Sequence, residues 1–203
     1  MKHDSGSPSS GRIQIHTYVN NGNSANTYLI WQKNSFQSLL IDPVCVDIDL
    51  FEIITGNNLE ITAIYFTDAA SASTHNAIRS IPNIYPNARM YGVDLPAFLH
   101  DYSHIINIRK QKDLTYGTYT IIPLFIEGQY GEALAYRIEN FLFPGPIVSA
   151  GSISAKQKDG GIVQAIEDML FTLPDNTLVF PLHGPPTTIA VEKEEKALIQ
   201  IMY

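Results

Sequence analysis

Leu173-Pro174-Asp175-Asn176-Thr177-Leu178-Val179-Phe180-Pro181-Leu182-His183-Gly184-Pro185-Pro186-Thr187-Thr188-Ile189 is the most telling stretch of this 203-residue chain. Turn-forming Pro, Asp and Asn precede an apolar run, residues 177–181, that reads as a strand. Leu182-His183-Gly184-Pro185 then breaks it with a turn. Upstream, residues 160–171 place Ile162, Ala165, Ile166, Met169 and Leu170 on one face of a helix. Downstream, residues 192–202 read as a last helix. The C-terminal third is therefore helix, strand, helix, with His183 at the carboxyl end of the strand. That is where α/β proteins place functional groups.

Outward from this stretch, the middle of the chain is β-rich, with strands expected over residues 105–109, 118–126, 133–138 and 141–143. Residues 88–93 read as a short strand, and Asp94 caps a helix through about residue 103. At the front, Ile13, Ile15 and Tyr18 open an alternating strand, and residues 27–31 give its partner across the hairpin chemistry of Asn20-Asn21-Gly22-Asn23. Residues 36–41 form a third strand ending at Asp42-Pro43, and residues 47–55 a helix stopped by Gly56. Residues 61–66 are a buried strand, followed by Thr67-Asp68-Ala69-Ala70-Ser71-Ala72-Ser73 and a helix around residues 75–81. Residues 1–11 are polar and rich in Ser and Gly and read as a flexible tail; residues 12–203 read as one two-layered sheet domain with outer helices.

Composition narrows the function. Hydrophobic content of 45% and charged content of 16% suit a globular core. A net charge of -7, with 13 scattered Lys and Arg, argues against a nucleic-acid partner. The short basic run Arg109-Lys110-Gln111-Lys112 reads as a solvated loop or strand end. No stretch has the length of a membrane span, and residues 1–11 lack the apolar core of a secretory signal, so a cytoplasmic protein is expected. Cys45 lies in apolar Pro43-Val44-Cys45-Val46 and reads as a small buried side chain rather than a reactive thiol.

The order of elements and three local motifs resemble the metallo-β-lactamase superfamily, in its short glyoxalase II-like (hydroxyacylglutathione hydrolase-like) branch. The motifs are the 173–189 stretch with Glu192-Lys193, Asn26-Thr27-Tyr28-Leu29-Ile30, and Leu39-Leu40-Ile41-Asp42-Pro43. The resemblance covers residues 12–203 and implies a four-layer αββα sandwich. It also implies a hydrolase in which histidines and aspartates hold two metal ions, zinc above all, that activate a water. Its T-H-x-H-x-D-H motif falls on Thr67 to Ser73, with Asp68, Ala70, Ala72 and Ser73 at four ligand positions. A further histidine would fall near Gly128 and the bridging aspartate at Pro146. Only His183 is retained, and Leu182 replaces the glycine before it.

Alanine, glycine and proline side chains donate nothing to a metal, and a catalytic zinc needs about three protein ligands. Once metals are lost, small neutral residues also relieve the crowding of like charges they had offset. No metal and no cofactor are therefore expected. The chain is expected to be a non-catalytic relative of these hydrolases that binds a small molecule or a protein partner, or forms a homo-oligomer. Asp68, Ser71, Ser73 and His183 are the candidate binding residues. The alternative is a hydrolase of a thioester or related ester rebuilt around Asp68 and His183; a third reading is an obligate interaction module with an apolar surface patch.

Other candidates have plain explanations. His183 is a remnant ligand, a general base, or, the preferred reading, a side chain hydrogen-bonded within its own turn. His100 and His104 are four apart but have no zincin glutamate or third ligand. His75 reads as a solvent-facing residue of a first helical turn. Ser71, Ser73 and Thr74 suit N-capping, or backbone-assisted binding of a small anion. Tyr116-Gly117-Thr118-Tyr119 lines a groove or fills half-buried strand positions.

Overall fold

The computed structural model describes residues 12–20, 22, 24–68, 72–93, 104–111, 114–128, 131–150, 152–153 and 160–201. The expected tail 1–11, Ala70, Ser71, and the expected helix 94–103 with His100 lie outside them, as do the side chains of Ala72 and Ser73.

Strands with both faces buried dictate the layering. The first sheet runs in the order β1 (Ile13–Val19), β2 (Asn26–Gln32), β3 (Gln37–Ile41), β4 (Glu60–Tyr65), β5 (Arg89–Gly92) and β6 (Ile105–Asn107). β1, β2 and β3 pair antiparallel, and β3 through β6 pair parallel. Between the parallel strands lie α1 (Ile48–Gly56) and α2 (Ala72–Ile84). Along β2 and β3, Leu29 and Leu40 face these helices, meeting Leu50, Ile54, Ala77, Ile78 and Ile81. Their neighbours Tyr28, Ile30, Leu39 and Ile41 face the opposite way, into the second sheet.

The second half of the chain contributes β7 (Leu114–Tyr116), β8 (Tyr119–Gly128), β9 (Gly131–Ile138), β10 (Phe141–Phe143), the small pair β11 (Val148–Ser149) and β12 (Ser152–Ile153), β13 (Leu178–Val179) and β14 (Thr187–Thr188). The second sheet runs β14-β13-β10-β9-β8-β7, with β10 and β13 parallel. On its outer face α3 (Gly160–Met169) and α4 (Ile189–Ile201) are covered through Ile166, Leu170 and Ile189 packed on Ile126, Ala135, Leu142 and Val179. The result is helices, sheet, sheet, helices, as the resemblance implied.

The layer between the sheets is aromatic. Tyr65 stacks on Tyr91 at 4.7 Å, Tyr136 meets Tyr65 edge-on at 5.2 Å, and Tyr28 meets Phe143 and Phe180 edge-on. Tyr116 and Tyr119 also belong to this layer, on either side of a turn where Gly117 takes φ +58°. They are buried strand residues of the core rather than the lining of a groove.

Several boundaries differ from the sequence reading for local reasons. The strand expected over 105–109 ends at Asn107, whose side chain accepts from the Arg109 N–H and starts a 3₁₀ turn. Arg109 and Lys110 are exposed at the strand end, as read, and Arg109 also makes a bidentate ion pair with Glu132. The helix read as 75–81 runs Ala72–Ile84, with Pro82 accommodated in its last turn. The last helix begins at Ile189 rather than 192, and of residues 177–181 only Leu178–Val179 form a strand. β7, β11, β12 and β14 have two or three residues each, too few to leave an alternating pattern.

Candidate functional site

Parallel β3 and β4 release their chains at one end of the first sheet, and parallel β10 and β13 do so in the second. Hydrogen bonds sew these four loop starts together. The carboxyl ends of strands in an open α/β layer are the usual place for a ligand site, so this seam is the candidate site.

Asp42 is the first stitch. It follows the apolar Leu39-Leu40-Ile41 and turns the chain through a left-handed φ of 51°, a conformation Asp tolerates. Its side chain is thereby buried at 6% exposure. Its two oxygens accept from the Thr67 N–H and the Thr67 hydroxyl, both at 2.7 Å. Burial pushes the Asp42 carboxyl up to about 7; the two Thr67 bonds oppose this and the nearby Asp68 charge adds to it.

Thr67 is the second stitch. Its hydroxyl lies against Gly145, which takes φ +64° in the 3₁₀ turn Gly145–Ile147 after β10. The Gly145 carbonyl accepts from the Leu182 N–H at 3.1 Å, so the loop after β13 joins the same seam.

Asn26, at the start of β2, is the third. Its amide nitrogen is within donating distance of Pro181 O at 2.9 Å, Gly184 O at 2.7 Å and Tyr28 Oη at 3.1 Å. Its N–H donates to Leu182 O at 2.7 Å, and Tyr28 donates its hydroxyl to Pro181 O at 2.5 Å. The 181–184 turn is therefore clamped from the first sheet. Tyr136 donates to Phe66 O at 3.2 Å, tying β9 to the end of β4.

The residues expected from sequence occupy this seam unevenly. Asp68 is half-buried directly after Thr67. His183 pairs backbone-wise with Ala25, its ring is exposed, and Nδ1 is 3.4 Å from Ser24 O. Its partner is thus the β1–β2 connection, not its own turn. Pro146 is half-buried beside Gly145. Ser71 lies outside the described residues, and nothing is described of the Ser73 side chain. His75 is half-buried in α2, and His104 is exposed before β6.

Among the described residues the donor set does not fit a two-metal centre. Both Asp42 oxygens are taken by Thr67, and His183 faces Ser24. Among the described residues no three His, Cys, Asp or Glu side chains converge as a metal-binding group.

Sequence reasoning registered Asn26, Tyr28 and Asp42 only as parts of motifs. Their work is in holding loops, and the signal for it was a polar residue at either end of an otherwise apolar strand. A second cluster lies at the carboxyl end of β1, the end that pairs with Asn26. Tyr18 donates its hydroxyl to Asp47, which also caps α1 by accepting from the Leu50 N–H. Asn20 donates to Cys45, whose thiol points to Asp47 at 3.7 Å. Burial and then the Asp47 charge push the Cys45 thiol up.

Comparison with known proteins agrees on architecture. No family model matches the chain. A probable metallo-hydrolase of Bacillus subtilis, YqgX, is 26% identical over 93 residues, 43% of this chain. That match spans 44% of the Bacillus protein's length. Among solved structures, the BLEG-1 B3 metallo-beta-lactamase superposes with a TM-score of 0.73 at 20% identity, covering 89% of this chain and 97% of its own. ETHE1 from Myxococcus xanthus gives 0.70 at 21% identity, covering 93% and 89%. The chain has the metallo-β-lactamase fold.

Proposed function

We propose that this chain is a non-catalytic relative of the glyoxalase II-like hydrolases, and that it uses the loop seam as a metal-free binding surface. The observation that carries the reading is a contrast. The groups that hold the loops in position, Asn26, Asp42, Thr67 and Gly145, are present and engaged. At the positions where the resemblance puts metal-holding groups, the sequence has Asp68, Ala70, Ala72, Ser73, Gly128 and Pro146, and only His183 matches. A scaffold of this kind presents a fixed shape with few charges, suited to a small molecule or a segment of a protein partner. Asp68 and His183 lie beside it, and Ser71 and Ser73 follow Asp68 closely in sequence.

The test is metal content of the chain purified without chelator, with thioester and lactam hydrolysis measured on the same sample. Substoichiometric metal and no turnover support the reading. Stoichiometric zinc, iron or manganese that is lost in Asp68→Asn or His183→Ala overturns it. A hydrolase rebuilt around Asp68 and His183 is the weaker reading, because the exposed His183 ring has its Nδ1 near Ser24 O.

A further inference from the structure

Among the described residues the two six-stranded sheets end in β1, β6, β7 and β14. Three of these edges are short: β6 and β7 have three residues each and β14 has two. β1 has seven, Ile13-Gln14-Ile15-His16-Thr17-Tyr18-Val19, and among the described residues it pairs only with β2. Edge strands are normally shielded from further pairing by shortness, by charged residues or proline, or by a bulge. β1 has no Lys, Arg, Asp, Glu or Pro, and its register with β2 is unbroken from Ile13 to Val19.

The ends of the β1–β2 ladder fix which backbone groups are left over. The Lys33 N–H donates to Arg12 O, and the Asn20 N–H donates to Ala25 O. Hydrogen-bonded and non-hydrogen-bonded pairs alternate along an antiparallel ladder. Arg12, Gln14, His16, Tyr18 and Asn20 therefore turn their N–H and C=O toward β2. Ile13, Ile15, Thr17 and Val19 turn theirs to the open edge, where Ile13 O takes a long 3.4 Å bond from the Gln14 side-chain amide. The side chains of these four lie on the face toward the second sheet. There Ile13 and Ile15 are only partly buried, and Val19 is 52% exposed.

We infer that β1 is a dimerisation edge: it pairs antiparallel with β1 of a second copy about a two-fold axis at His16, joining the two first sheets into one. In this register Ile13 faces Val19 and Ile15 faces Thr17, each pair occurring twice. Every outward N–H and C=O of both strands is then used, and any other register leaves at least one outward residue of each strand unpaired. The strand suits itself as a partner. β-branched side chains meet on the face toward the second sheets, the exposed Val19 is covered by Ile13, and Gln14 meets Tyr18 on the other face. Charge points to the same place. Two copies with a net charge of -7 repel, and a strand without Asp, Glu, Lys or Arg brings them together at least cost. Val19 pairs with Asn26, so the start of each copy's β1 adjoins the other copy's loop seam. The pairing holds whether or not that seam binds metal.

Sedimentation of the full chain over a wide range of concentration, with amide hydrogen exchange on the same samples, tests this. A dimer is expected, with the Ile15, Thr17 and Val19 amides protected at high concentration and released on dilution. Thr17→Pro removes an edge N–H that β2 does not use, so the fold is kept. It deletes one N–H bond from each copy and raises the dissociation constant about thirtyfold. If Thr17→Pro does not fold, His16→Lys and His16→Glu decide. Each alone sets like charges face to face across the axis and weakens self-association, and an equal mixture of the two restores it as a heterodimer. The inference is overturned by a chain that stays monomeric throughout. It is also overturned by edge amides protected in the monomer, which would mean that other residues of the chain cover β1. A dimer that neither Thr17→Pro nor the His16 pair disturbs overturns it as well.

Discussion

A methyl group built on Gly145 would stand 2.3 Å from the hydroxyl oxygen of Thr67 and 2.6 Å from its Cβ. Thr67 cannot give way, because its hydroxyl and N–H are both fixed on Asp42. Gly145 also takes φ +64°, which an L side chain rarely adopts. Gly145→Ala therefore costs roughly 2–4 kcal/mol, from overpacking and backbone strain together. Denaturant unfolding checks this. Gly145→Ala in a Thr67→Ser background is expected to lose about as much, since serine keeps the two atoms that stand closest.

Asn26→Ala removes the side-chain donor to Gly184 O and leaves Pro181 O with only the Tyr28 hydroxyl. Water replaces the donor at exposed Gly184, so a loss of about 1 kcal/mol, the usual net worth of a hydrogen bond, is expected. Tyr28→Phe keeps the ring contacts with Phe143 and Phe180 and loses the hydroxyl with its bonds to Pro181 O and the Asn26 amide, which still has other acceptors, at about 1 kcal/mol. The two effects are not additive, because both act on one turn; a double-mutant cycle reads the coupling.

Stability falls with rising pH over a defined window. The Asp42 carboxyl is raised from 3.8 to about 7 in the folded chain. The folded state thus keeps a proton that the unfolded state has already lost. The contribution is complete below pH 4, declines from there to about pH 7, and is flat above; its full span is on the order of 4 kcal/mol. Thermal unfolding from pH 4 to 8, compared with Asp42→Asn, isolates this term from the histidines. A wild-type minus variant difference that does not change with pH contradicts it.

Cys45 alkylates slowly at pH 7.5. Its thiol is raised by burial and by Asp47, and the thiolate is the reactive species. Asp47→Asn removes the nearby charge and accelerates iodoacetamide labelling several-fold, while Tyr18→Phe leaves the charge in place and changes it little. Equal rates for wild type and Asp47→Asn would show that the carboxylate does not control this thiol.

The layered fold was legible because buried strands such as 27–31 and 61–66 are apolar on both faces, and the helices between them carry periodic faces with Asp47 and Gly56 at their ends. The seam was legible only in part. That Asp42 ends a buried strand is visible in sequence; that both its oxygens find Thr67, 25 positions away, is not. Asn26 likewise looks like an ordinary strand-start residue until folding brings it to Pro181. His183 shows the converse: its motif is strong, yet its ring is exposed and faces Ser24. Local pattern predicts which face a residue takes, and not which distant carbonyl it will meet.

The clamp between Asn26 and the 181–184 turn also sets a timetable for synthesis. Asn26 is made early, and its side-chain partner Pro181 emerges 155 residues later. At roughly 5–20 residues per second, that interval lasts on the order of 10–30 s. Throughout it the β1–β3 hairpins exist without the carbonyls that satisfy the Asn26 amide and the Tyr28 hydroxyl. The aromatic face of the first sheet also waits for Tyr136, Phe143 and Phe180. Closure of the seam therefore follows synthesis of the 181–184 turn, and the aromatic face is covered only once Tyr136, Phe143 and Phe180 are made.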